Sequence, residues 1–248
     1  MPTTTEQEKV AQLTDLDAGL PIASVDVAVR LISCYQGLAR KGEHILQGLL
    51  AGEATRQWQH WPADDAIDAT SGYQWFYHSH SPEDRQDGNG DEHGHFHLFA
   101  RTSACRALPL RLRRGDRLRQ LVGYDRSATT RHLLCVSLNA KGLPIELFTV
   151  NSWVTGDAML DAEATGWLLA HLHLATGYPE IDTLLSCTVA LCASQVQALL
   201  DARDAVLLQT ALTGSDIFSD RTVEVLSSQR IDIDHVLSAA LSQGSSPA

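Results

Sequence analysis

Eleven histidines are spread over 248 residues, yet His78, His80, His93, His95 and His97 fall within one stretch of twenty, where an even spread would put about one. Side chains of an extended strand alternate between faces, so His78 with His80, and His93 with His95 and His97, would each line one face of a strand. Residues two apart on a strand lie about 6.8 Å from each other and paired strands about 4.8 Å apart. If the two segments pair through residues 81–91, three imidazoles can therefore meet one ion at about 2.0–2.1 Å from each nitrogen. Glu83 and Glu92 stand at the two ends of the connecting loop, each able to serve as ligand or general base. Two histidines and one carboxylate with open positions is the donor set of non-haem iron oxygenases, whereas three histidines with an open position is that of zinc hydrolases and hydratases. Both remain open at this stage, and the expected cofactor is a divalent transition metal, iron or zinc. The competing reading is a hydrogen-bonded aromatic core patch or a solvated surface. It is costly for a buried metal-free set, because imidazoles with pKa near 6.5 repel one another on protonation.

The elements that must position these residues can be read from periodicity. Residues 73–80 are dense in aromatics and follow Ser71-Gly72, and residues 93–101 continue the alternation, so both read as strands. Residues 132–139 and 143–150, joined by Ala140-Lys141-Gly142, read as a hairpin. A helix capped by Ser24 or Asp26 is expected to run to Gly52. Beyond Thr155-Gly156 the pattern turns helical over residues 158–175, 180–212, 219–229 and 234–242. The sum is an α+β fold in a single domain over residues 1–248: an antiparallel sheet of two hairpins, an N-terminal helix and a helical C-terminal half. Residues 1–19 and 242–248 read as disordered ends.

Composition bounds the function. The net charge of −11 disfavours a nucleic-acid partner, which requires positive potential. Charge is uneven, however: residues 101–131 hold nine arginines against two acids, and residues 155–248 hold twelve acids against three arginines. The arginine run either grips an anionic ligand or forms a solvated face paired with those acids. No stretch approaches the about 20 apolar residues of a membrane span, and no secretory signal is read at the start. The five cysteines, Cys34, Cys105, Cys135, Cys187 and Cys192, show no Cys-x-x-Cys spacing and read as buried thiols of a cytoplasmic protein, with Cys135, in an apolar strand, as inert filler.

Other motifs carry less. Asp87, Asn89 and Asp91 match the first ligands of a calcium loop, but Glu92 replaces the required glycine and Leu98 the bidentate glutamate. His171 and His173, placed on a helix, would point about 200° apart. No phosphate-binding glycine loop or nucleophile elbow surrounds any serine. Eight of the fifteen aromatics lie between Trp58 and Phe99 and supply either a pocket wall or sheet core.

The segment His78-Ser79-His80, the run Glu92-His93-Gly94-His95-Phe96-His97 and the stretch from Gly142 through Asn151 and Trp153 to Gly156 together resemble a bacterial family classed as a domain of unknown function, over roughly residues 58–210. That resemblance implies no reaction and transfers no catalytic role, and it does not place residues 102–130. Asn151 and Trp153 either line the histidine pocket or tie a turn and plug the core. The expectation is a metal-binding protein, a metal-dependent enzyme acting on a small molecule. Its rival is a non-catalytic metal-storage, metal-sensing or small-ligand-binding protein.

Overall fold

The strand-forming aromatics and β-branched residues of the middle of the chain build one sheet, seen in a computed structural model that describes residues 24–50, 59–79, 91–115, 128–214, 216–218 and 220–243. Its strands are His60–Ile67 (β1), Tyr73–Ser79 (β2), Glu92–Arg101 (β3), Thr130–Asn139 (β4), Pro144–Val150 (β5) and Val225–Arg230 (β6). They lie in sequence order, each antiparallel to the next. The two expected hairpins are present, and β3 pairs with β4 to join them into a single meander. The α+β reading holds.

The helices are Ser24–Lys41 (α1), Gln47–Leu50 (α2), Thr102–Cys105 (α3), Leu110–Gly115 (α4), Ser152–Thr155 (α5), Ala162–Ala170 (α6), Pro179–Leu191 (α7), Ala193–Leu212 (α8) and Ile233–Gln243 (α9). One sheet face carries Tyr73, Trp75, Tyr77, Phe96, Leu98, Leu134, Val136, Leu138 and Leu147, which pack with Leu31, Leu168, Ile181, Leu184, Leu185 and Leu200 of the helices in one core. Two buried polar contacts pin sheet to helices: Tyr73 Oη donates to the Leu168 carbonyl at 2.8 Å, and Trp75 Nε1 donates to Asp182 Oδ1 at 3.0 Å. The opposite face carries His78, His95, His97 and His132.

Four expectations change. The helix expected over residues 180–212 is two, α7 and α8, bent by 77° at the fully buried Cys192, where α8 turns to run along β5 and β6. Residues 225–229 of the helix expected over 219–229 instead belong to the edge strand β6, because β5 offers a free row of backbone donors and acceptors that outweighs a weak local pattern. The first helix stops at Lys41, with Gly42 in the left-handed region at φ 67°, and the chain resumes as the short α2. His171 and His173 lie just past α6, where His171 stacks on Trp167 and His173 approaches Asp68. β1 was not foreseen, since Pro62, Asp64 and Asp65 are poor strand residues; it is an edge strand with a register break between Trp61 and Ala66. Residues 1–19 lie outside the described residues, and α9 extends through Ser242 to Gln243. Among the described residues no single helix is long and apolar enough to cross a membrane.

Candidate metal centre

Two β-bulges decide which side chains meet on the histidine face. In β3, Glu92 pairs with Asn139 and Gly94 with Leu138, so His93 is an extra residue. The insertion turns His93 toward the helical side, where its Nδ1 lies 2.7 Å from Tyr77 Oη. It also swings Glu92 onto the face of His95, a face that strict alternation would deny it. In β4, Leu98 pairs with Leu134 and Phe99 with His132, so Leu133 is the extra residue. Leu133 and Leu134 both enter the core, and His132 and Cys135, three apart, share the histidine face.

On that face β2 supplies His78, β3 His95 and His97, and β4 His132, Cys135 and Ser137. The register sets His78 beside His95 and His97 beside Cys135. His78, His95 and His97 have nitrogens close enough to share one ion, with His78 partly exposed and the other two buried. The Nε2 atoms of His95 and His97 face each other at 3.0 Å. His95 Nδ1 lies 2.8 Å from Glu92 Oε1, which also accepts from Ser137 Oγ at 3.1 Å. An ionised carboxylate only accepts, so this contact puts the ring proton of His95 on Nδ1 and leaves a bare lone pair on Nε2. A carboxylate behind a histidine is how ligating imidazoles are commonly oriented and made more basic.

A second group sits deeper: His97, His132 and Cys135, all buried. His97 joins it through its other nitrogen, with Nδ1 3.2 Å from His132 Nε2 and 3.3 Å from Cys135 Sγ, while Sγ lies 3.4 Å from His132 Nε2. Aromatic rings wall both groups. Phe76 stacks on His60 at 3.9 Å and on His97 at 4.6 Å between centroids, and Phe148 meets the edge of His95 at 4.9 Å.

Burial sets the protonation of these groups. It holds the His97 imidazole well below its usual pKa, with His95 and His132 adding repulsion. His132 is pushed down to about 3, by burial and then by the Arg203 guanidinium and His95. Both rings are therefore neutral at physiological pH, the form that ligates. Burial, with Glu92 and Glu224, raises the Cys135 thiol well above its usual range, so a bare thiolate there requires a compensating cation.

Of the residues singled out in the sequence, His78, His95 and His97 are brought together, and Glu92 stands behind His95 and joins neither ion-sized group. His93 is turned to the other side of the sheet. His80 and Glu83 lie outside the described residues, as do Asp87 and Asn89 of the calcium-like loop. Asn151 Nδ2 donates to the carbonyls of Ile217 and Val223, and Trp153 Nε1 to that of Val223, so these two residues tie the chain after β5 to the approach to β6. In the arginine run, Arg111 pairs with Glu163 and Arg101 donates to Gln74, while Arg117, Arg119 and Arg126 lie outside the described residues. His132 and Cys135 escaped the sequence reading. Their spacing of three argues for opposite faces in any regular strand, and only the adjacent Leu133-Leu134 pair of large apolar residues hints at a bulge.

The family described as Domain of unknown function (DUF6969) matches residues 25–231. No curated protein and no solved structure matches the chain.

Proposed function

We propose that this chain, which belongs to the DUF6969 family, is a metal-dependent enzyme in which His78, His95 and His97 hold one divalent ion of the zinc or iron class and a small molecule is processed beside it. The observation that carries this reading is the pair of Nε2 atoms facing each other at 3.0 Å, one of them on a ring whose far side is bonded to Glu92. Three imidazole ligands leave one position of a tetrahedral ion open, and the partial exposure of His78 supports access for a substrate from that side. An ion so held supplies Lewis acidity and lowers the pKa of a bound water to about 7. Glu92, whose Oε1 is engaged by His95 and Ser137, has the place of an orienting carboxylate, which favours three histidines over the two-histidine, one-carboxylate iron set. The Phe76, Phe99 and Phe148 rings offer the apolar wall usual in small-molecule sites. Five free thiols fit a reducing compartment such as the cytoplasm.

The test is elemental analysis of protein purified without a histidine tag, followed by cobalt(II) substitution. Near-stoichiometric metal that is lost in a His78→Ala/His95→Ala double variant supports the reading. A cobalt spectrum that shifts on adding azide supports an open position. Metal content that the double variant leaves unchanged removes the centre, and a spectrum indifferent to azide reassigns it to storage or sensing.

A further inference from the structure

The deeper group has its own chemistry. Around a tetrahedral ion with metal–nitrogen bonds of about 2.0–2.1 Å and a metal–sulfur bond of about 2.3 Å, neighbouring ligand atoms lie roughly 3.3–3.6 Å apart. The edges of the triangle formed by His97 Nδ1, His132 Nε2 and Cys135 Sγ are 3.2, 3.3 and 3.4 Å. Hydrogen bonds alone close this triangle poorly. If His97 carries its proton on Nε2, donating to the bare Nε2 of His95, its Nδ1 can only accept. The thiol and His132 Nε2 then bring at most one proton each, and three edges cannot all be bonded by two protons. One ion inside the triangle takes a lone pair from all three corners.

We propose that His97, His132 and Cys135 form a second metal site, closed to solvent and bearing a thiolate, suited to zinc(II) or copper(I). The proposal rests on the reading of this sheet face as metal-binding but concerns different atoms. On binding, the Sγ–H proton of Cys135 leaves to solvent, Sγ⁻ and the two imidazole nitrogens form the bonds to the ion, and no electron changes hands. Thiolate donors select zinc and copper(I) over harder ions, so the two groups differ in preference: nitrogen donors with an open position outside, a thiolate and two imidazoles enclosed inside. His97 touches both through opposite ring nitrogens. A neutral ring has one lone pair, so filling both groups at once requires its remaining ring proton to pass to solvent. Cys135, inert filler by its sequence context, thereby becomes a ligand.

Cobalt(II), added to metal-free full-length protein, is the probe, because a thiolate ligand gives it an intense near-ultraviolet charge-transfer band. The expected result is such a band in the wild type, absent in Cys135→Ser and retained in His78→Ala. His132→Asn leaves the thiol in place and covers the case in which Cys135→Ser does not fold. It should weaken cobalt binding at the banded site by at least the about 10–100-fold seen when only a ligand's hydrogen-bond partner is changed. Displacement of the bound cobalt by zinc(II) or by copper(I) then identifies the preferred ion. Cobalt that binds without the band and is lost in His78→Ala overturns this inference and leaves the outer centre standing. A band that survives both Cys135→Ser and His132→Asn overturns it as well. A band retained in His78→Ala supports it whatever becomes of the outer centre. Failure of cobalt to bind at all overturns both readings.

Discussion

Replacing Glu92 tests the logic of the outer centre at its most specific point. Its Oε1 accepts from His95 Nδ1 at 2.8 Å and from Ser137 Oγ at 3.1 Å, and both donors belong to buried residues. Changing the hydrogen-bond partner of a ligating histidine costs about 10–100-fold in metal affinity, which is about 1.4–2.7 kcal/mol. Glu92→Gln keeps an acceptor and loses only the charge, so a loss near tenfold is expected. Glu92→Ala strands two buried donors, so its loss should approach a hundredfold, with a further about 1–3 kcal/mol of folding stability. Competition between protein and a chromophoric chelator for zinc(II) measures the first quantity, and urea denaturation of the metal-free variants the second. Affinity unchanged in both variants, with the fold intact, would refute the orienting role. A loss as deep as that of His95→Ala would instead make Glu92 a direct ligand.

Further outcomes follow from the same geometry. His93→Ala should keep metal affinity within about threefold and lose about 1 kcal/mol of stability with the Tyr77 contact; chelator competition and urea denaturation read the two, and loss of metal would mean that His93 reaches the ion. Gly94→Ala places a Cβ against the His78 carbonyl oxygen and 2.7 Å from Tyr77 Cζ, so it should destabilise by about 1–3 kcal/mol, measured as a drop in thermal midpoint. Arg203→Met removes a buried guanidinium that donates to Asp204 Oδ1 and the Leu160 carbonyl, both at 2.7 Å. Because Asp204 keeps some contact with water, the cost should fall at the low end of the about 3–5 kcal/mol for breaking a buried pair, again by urea denaturation. Metal-free protein should lose stability in acid. His132 has a folded pKa pushed down to about 3, so below about 6.5 the unfolded chain binds a proton that the folded one refuses. Stability from this group is complete above that pH and falls by up to about 1.4 kcal/mol per pH unit toward pH 3, visible in denaturation midpoints across a pH series.

Much of the architecture was legible because it rests on local rules. The aromatic alternation at residues 73–79, the Ala140-Lys141-Gly142 turn, and the alanine- and leucine-rich segments after Gly156 each specify an element through steric preference and burial period, whatever surrounds them. The elements that escaped depend on neighbours. β6 exists because β5 leaves an unpaired edge, β1 because β2 leaves another, and α7 ends at Cys192 because α8 must turn to reach β5 and β6.

The candidate centre divides the same way. Sequence alone determined that imidazoles would crowd two adjacent strands, since His78, His95 and His97 alternate with aromatics whose burial fixes the pleat. Tertiary structure decided the rest through two inserted residues. Side chains repeat every two positions along a strand, so one extra residue reverses the facing of those beyond it. His93 in β3 thereby sends itself away and delivers Glu92 to His95; Leu133 in β4 delivers His132 to Cys135. A bulge is a compromise between two strands over register and twist, written in neither strand by itself, and the partners of these histidines become visible only when β3 and β4 lie side by side.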